Sequence, residues 1–179
     1  MKIAIQMEPP DDAPPAVEYR WDEDTDILSA TLRRERPGEA GRNEMPAHGG
    51  LSGTVELQGS DGSWLNLDVA AGRIHAVEVA VWPPVRRLAS LAPPPSVDSV
   101  AVAVPARGSR ATVDAVEVDT ALIADANTSE SIFHFRLGRA AGARTVRLAS
   151  DILIDVSPGG QLTGLWLLNV PPFPANNAQ

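Results

Sequence analysis

The densest group of chemically able side chains is the acidic run Asp22-Glu23-Asp24-Thr25-Asp26. Alternate carboxylates of this kind hold calcium when the loop also supplies a glycine for the sharp turn and a closing glutamate. Here Ile27 stands where the glycine belongs, and no glutamate closes the run. It reads as a solvated hairpin turn. The three histidines, His48, His75 and His134, are not spaced at i, i+2 or i+4 from one another, so the sequence offers no metal-ligand pair. His48-Gly49-Gly50 faintly echoes an oxyanion-hole turn, but no Gly-x-Ser-x-Gly elbow accompanies it. His134 alternates with Phe133 and Phe135 and is expected to point outward from a strand. His75 shares its phase with Val77 and Val79 and is expected to be partly buried. All three read as structural, and no catalytic residue is expected.

A second group is defined by phase. Trp64, Asn66 and Asp68 share one face of an alternating segment. A tight hairpin at Ala71-Gly72 would carry that face across to Ala76 and Glu78. Tryptophan is costly to expose and common at binding hot spots, so Trp64, Asn66, Asp68 and Glu78 form the candidate binding surface. The same face could instead be a second core layer under the other half of the chain, and the sequence leaves both open. Arg136, Arg139, Arg144 and Arg147 are expected around one hairpin, either as an anion or partner patch or as a solvent-facing set offsetting nearby carboxylates. There is no cysteine, which excludes disulfides, zinc–thiolate sites and cysteine nucleophiles. No Gly-x-Gly-x-x-Gly and no P-loop occurs, so no cofactor is expected.

The elements that must position these residues are strands. Period-2 alternation recurs through Ile3/Ile5/Met7, Val17/Tyr19/Trp21, Leu28/Ala30/Leu32, Leu65/Leu67/Val69 and Val77/Val79/Val81. It continues through Val100/Val102/Val104, Phe133/Phe135/Leu137, Ile152/Ile154/Val156 and Leu165/Leu167. Turn formers separate the runs, as at Gly59-Ser60-Asp61-Gly62 and Pro158-Gly159-Gly160. Sixteen prolines and fourteen glycines suit an all-β chain with many turns. The best helix candidate, Val85 to Ala92, is short and bracketed by prolines. Arg34 to Gly50 reads as a long mobile loop, and Trp82 to Ser96, with five prolines, as a semi-rigid connector.

The two halves align with each other. A shift of 105 positions brings Val17 onto Leu122, Ile27-Leu28 onto Ile132-Phe133 and Leu32 onto Leu137. Further on, Thr54-Val55-Glu56-Leu57 meets Thr145-Val146-Arg147-Leu148, and Leu65-Asn66-Leu67-Asp68-Val69 meets Ile152-Leu153-Ile154-Asp155-Val156. Gly72-Arg73-Ile74 meets Gly160-Gln161-Leu162, and Pro83-Pro84 meets Pro171-Pro172. The expectation is a first β repeat over 1–88, a proline-rich connector over 89–98 and a second repeat over 99–179, folded as one cooperative unit.

The stretch from Tyr19 to Leu28 resembles the opening of a family of small bacterial all-β domains of unknown function, which begin with a Tyr-Asp…Asp-x-Leu-Tyr hairpin. Leu67 to Val79 and Ile154 to Leu167 are each similar to that family's closing hairpin, Asp-x-x-Gly-x-Leu-x-Gly-Ile-Glu-Ile. Ala76 stands for the family's glycine in the first half, and Trp166 for its glutamate in the second. The resemblance implies two diverged tandem domains and carries no established chemistry.

The expected fold is therefore all-β: two pseudo-symmetric antiparallel meanders packed as a sandwich or a partly closed barrel. Net charge is −8, which argues against nucleic acid and anionic membrane as partners. No apolar run reaches the length of a bilayer span, and Met1 to Met7 lacks the apolar stretch of a signal peptide, so the expected address is the cytoplasm. Lysine occurs once, at Lys2, among abundant Arg, Ala, Val, Pro and Gly, a composition expected of a GC-rich bacterial genome. The leading expectation is a non-catalytic protein-binding or regulatory module, monomeric or homodimeric. The alternative is a small-molecule or carbohydrate-binding protein, with possible hydrolytic activity, using a groove between the copies.

Overall fold

The computed structural model describes residues 3–10, 13–34, 50–95, 97–105, 112–138 and 141–174. Most of the loop expected over 34–50, with His48, lies outside them, as does Arg139. In chain order the strands are β1 (Gln6–Glu8), β2 (Ala16–Asp22), β3 (Ile27–Arg33), β4 (Ser52–Gly59), β5 (Trp64–Ala70), β6 (Arg73–Val81) and β7 (Val85–Arg87). They continue as β8 (Ala101–Ala103), β9 (Thr112–Thr120), β10 (Leu122–Ala126), β11 (Phe133–Leu137), β12 (Arg144–Ala149), β13 (Ile152–Val156) and β14 (Leu162–Leu167). Among the described residues there is no helix, and so none long and apolar enough to cross a membrane.

Alternation decides which side of each strand is buried. In β3 and β5 every second residue is shut from solvent, so Leu28 and Ala30, and Leu65 and Leu67, face one way. These side chains meet Phe135, Ile152, Ile154, Leu165 and Leu167 of the other half in one continuous buried cluster. Each fully buried leucine or phenylalanine contributes roughly 1.5–3 kcal/mol. Two six-stranded sheets thus pack face to face as a sandwich and do not close into a barrel.

The strand order is β2-β3-β6-β5-β4-β9 in the first sheet and β12-β13-β14-β11-β10-β7 in the second. Each contains a three-strand meander, β4-β5-β6 or β12-β13-β14, whose last strand docks beside a hairpin, β2–β3 or β10–β11, in Greek-key order. The registers coincide. Ser29 faces Glu78 as His134 faces Trp166, and Asp68 faces Ala76 as Asp155 faces Gly164. Both ladders then slip by one residue, between Asp68 and Val69 and between Asp155 and Val156. These bulges leave His75 and Thr163 as the extra residues. The first bulge corrects the reading of His75, which is exposed because the slip breaks the phase it would have shared with Val77.

Edge strands tie the halves together. β7 runs parallel to β10, and β9 runs parallel to β4, so each sheet is completed by a strand from the other half of the chain. This corrects the helix expected over Val85 to Ala92. Eight residues, about two turns, are too few for a stable helix alone, while the open edge of β10 offers ready ladder partners to Val85–Arg87. The Tyr19 hydroxyl lies between the carbonyls of Leu168 at 2.8 Å and Asp151 at 3.2 Å, and burial drives its pKa well up. Trp21 Nε1 donates to the Pro171 carbonyl at 2.9 Å and stacks on Trp82, which in turn packs on Phe133.

The proline-rich connector is a strap across the outer face of the second sheet. It leaves the β10 edge, where Leu88 N donates to the Ala126 carbonyl at 2.8 Å. It reaches the β12 edge, where Arg147 N donates to the Asp98 carbonyl at 2.8 Å. Crossing from β10 to β12 is about 19 Å at sheet spacing, within reach of ten residues even at about 3.1 Å each in polyproline conformation. On the way Leu91 and Val97 cover Leu153, Trp166 and Leu168. Leu153 is buried for this reason, while Ile152, Ile154 and Val156 of the same strand are buried in the core between the sheets.

Candidate functional site

The four residues of the expected surface do share the outer face of the first sheet. Asn66 lies opposite Glu78, and its Nδ2 donates to Glu78 Oε1 at 3.1 Å. Asp68 is exposed and accepts from the Thr54 hydroxyl at 2.8 Å. Trp64 sits beyond a further slip in the ladder, paired with Val81, and its Nε1 is shielded without a hydrogen-bond partner. The arrangement is a polar ladder whose carboxylates are occupied by neighbours.

The more developed arrangement lies at the matching positions of the second sheet. Asp155 projects from β13 on the face opposite Ile154 and is only 9% exposed. A buried carboxylate is costly unless hydrogen-bonded, and three side chains supply the bonds. Thr145 of β12 donates to Oδ1 at 2.6 Å, His134 Nε2 of β11 lies 2.8 Å from Oδ2, and Trp166 Nε1 of β14 lies 3.3 Å from both oxygens. Burial by itself pushes the Asp155 pKa up. The bonds from His134, Thr145 and Trp166, with the attraction of the imidazole, outweigh it and hold the carboxyl below its usual range. Asp155 is then an acceptor only, so His134 carries its hydrogen on Nε2. The imidazole lies flat on Trp166, with ring centres 3.9 Å apart and planes 9° apart.

Gly164 makes this cluster sterically possible. A Cβ there would sit 2.3 Å from Asp155 Oδ2 and 3.0 Å from His134 Nε2. His134 thus points away from Phe133 and Phe135, as its phase requires, but is roofed by Trp166 rather than left in water. Beside it on β11, Arg136 Nη2 lies 3.2 Å from Asp125, a buried carboxylate that also accepts from Arg86 Nε at 2.8 Å. Arg136 Nε is buried without a partner. A cavity of about 360 Å³ opens here, lined by His134, Arg136, Asp155 and Thr163 and walled by Gly138, Ala141 and Ala143. None of Trp64, Asn66, Asp68 and Glu78 lines it.

The arginine hairpin is corrected by topology. β13 and β14 lie between β12 and β11, so Arg136 is separated from Arg144 and Arg147. Arg144 pairs with Asp98 and Arg147 donates to the Ser150 carbonyl. The acidic run forms a turn in which Asp24 N donates to Asp22 Oδ1 at 3.0 Å.

The sequence reading missed Asp155, Thr145, Gly164 and Trp166. A signal for Asp155 existed: it is the one charge in Ile152-Leu153-Ile154-Asp155-Val156, and a charge on so apolar a strand needs a built partner. Chemically, the cavity can bind and orient a small polar molecule. His134 has no hydroxyl within hydrogen-bond distance among the described residues, so the cluster contains no activated nucleophile of the serine or threonine kind. Fold and cavity together define a β-sandwich with a polar pocket on an outer sheet face. Scanned against protein-family models and curated protein sequences, the chain matches none.

Proposed function

We propose that the chain is a non-catalytic binding protein for a small polar molecule, taken up in the cavity on the second sheet. The observation that carries this is the convergence of His134, Arg136 and Asp155 on one 360 Å³ cavity, each held by a strand rather than a loop. Trp21 and Trp82 are committed to packing between the sheets and Trp166 to the His134 stack, which removes most of the aromatic argument for a protein partner. The test is a small-molecule screen on the full chain read by thermal shift and by the indole NMR signals of Trp64 and Trp166. A ligand that raises the melting temperature and perturbs Trp166 supports the reading. A ligand that stabilises the protein without perturbing Trp166, while shifting Trp64, moves the site to the first sheet.

A second reading, a protein-binding or regulatory module, is favoured by the acidic edge of the first sheet. There Glu56 lies beside Glu117 and Gln58 beside Asp119, with both β9 acids exposed. A basic protein partner would relieve that like-charge contact. Glu117→Lys abolishing capture of such a partner supports this reading, and unchanged capture counts against it.

We also propose that the chain comprises two diverged tandem copies of the small bacterial domain it resembles, acting as one cytoplasmic unit. Coincident registers and bulges support the duplication. The exchanged edge strands β7 and β9 support a single unit. Unfolding in one transition by two probes, Trp64 and Trp166, is expected; two separated transitions overturn the single unit.

A further inference from the structure

We infer that the cavity on the second sheet selects a small oxyanion, a carboxylate or a phosphate. The inference rests on the small-ligand reading and narrows it by counting donors and acceptors. The acceptors are already used. Asp155 Oδ1 takes Thr145 and Oδ2 takes His134, and Trp166 shares both. Asp125 Oδ1 takes Arg86 and Oδ2 takes Arg136. A sugar hydroxyl or an ammonium group entering the cavity would meet in Asp155 a carboxylate whose lone pairs are already engaged, while Asp125 does not line the space.

The donors are in surplus. Two guanidinium groups share one buried carboxylate at Asp125, so Arg136 is only partly neutralised there; the balancing charge, Asp155, has its oxygens turned to Thr145, His134 and Trp166. Arg136 lines the cavity with one nitrogen spent on Asp125, while its Nε makes no bond at all. A buried donor without an acceptor is costly, and a small turn of the guanidinium that brings Nε to the cavity would let an entering oxyanion supply the missing acceptor in forked geometry. Among the described residues the remaining walls, Gly138, Ala141 and Ala143, carry no side-chain acceptor. Thr163 spends its hydroxyl proton on the Asp155 carbonyl at 3.1 Å.

The experiment is a titration of the full chain followed by amide and indole NMR signals of Gly138, Gly164 and Trp166. Inorganic phosphate and acetate are the oxyanion probes, with glucose and methylammonium as neutral and cationic controls. Saturable shifts of these signals with phosphate or acetate are expected, and the stronger of the two names the source chemistry. Arg136→Gln is expected to weaken that binding at least tenfold, and Arg136→Lys, which keeps the charge and loses the fork, by less. Should glucose or methylammonium move the signals while both oxyanions leave them still, the oxyanion inference falls and the small-ligand reading stands. Should none of the four move them, both fall. Oxyanion shifts unaltered in Arg136→Gln, or in Arg136→Lys if the glutamine variant does not fold, also overturn the inference.

Discussion

On the first sheet Thr54 donates to Asp68 at 2.8 Å; at the matching place on the second, Thr145 donates to Asp155 at 2.6 Å. Everything around that shared bond differs. Ser29, Ala76, Asn66 and Glu78 surround the first carboxylate, and His134, Gly164, Leu153 and Trp166 occupy the corresponding ladder positions around the second. The first carboxylate stays exposed, while the second is roofed by an indole that the strap presses onto the sheet. One backbone register therefore supports a solvated polar ladder in one half and a buried, fully bonded carboxylate beside a cavity in the other. The deciding exchange is small. Gly164 leaves room for the imidazole against Asp155, and the methyl of Ala76 stands at that place in the first sheet.

The largest expected effect comes from closing that room. In Gly164→Ala the new Cβ would meet a carboxylate oxygen and an imidazole nitrogen held on neighbouring strands, so the His134–Asp155 contact must break. Leaving a buried carboxylate short of a donor costs roughly 1–3 kcal/mol, and overpacking a similar amount. Denaturant unfolding should show a loss of about 3 kcal/mol. The mirror change, Ala76→Gly, should cost about 1 kcal/mol or less, the strand penalty of glycine alone. Equal costs at both positions would break the comparison between the sheets.

Next in size is the strap. Truncating Leu91 and Val97 together to alanine removes the partly buried cover over Leu153 and Trp166. The expected loss is about 2 kcal/mol, since half-buried truncations cost less than core ones. Trp166 emission should shift to the red while Trp64 emission holds. A red shift at Trp64 instead would mean that the connector does not belong to the second sheet.

Acid provides a subtler distinction. The Asp155 pKa is lowered on folding, so its contribution to stability is complete above the ordinary carboxylate range and disappears as pH falls through its lower folded value. Asp155→Asn should flatten the acid limb of the stability curve below about pH 4, the unperturbed range of aspartate. Urea midpoints taken at pH 2–6 settle the matter, and parallel curves for the parent and Asp155→Asn would refute it.

Most of the sheet architecture was legible because each strand buries one face and so alternates, as Leu65-Asn66-Leu67-Asp68-Val69 does. What stayed hidden depends on neighbours remote in sequence. Val85–Arg87 became a strand only because β10 offers an open edge, and a linker rich in proline gives no hint that it crosses a sheet. Its apolar members, Leu91 and Val97, were the available clue, since such residues in a true linker would have nothing to bury against. Asp155 was overlooked because a period-2 pattern ranks side chains by phase and not by what they need. Alternation gives His134 its phase but not its roof, which is formed by a tryptophan 32 positions later in the sequence.

The smallest expected effect is also the sharpest control. Glu78→Gln changes the first sheet at the position that Trp166 occupies in the second. Its Oε1 accepts from Asn66 Nδ2 at 3.1 Å and its Oε2 from the Ser29 hydroxyl at 3.5 Å; the amide oxygen of glutamine can keep the first, and its NH2 can donate to the Ser29 hydroxyl oxygen in place of the second. Removing a partly solvated charge should move stability by no more than about 0.5 kcal/mol. It should also leave the NMR signals of Gly138, Gly164 and Trp166 in place, because no bond links this ladder to the cavity among the described residues. A loss above about 2 kcal/mol would place Glu78 in the class of built, buried charges with Asp155. The two faces would then differ in which ligand they hold, and no longer in whether they are built to hold one.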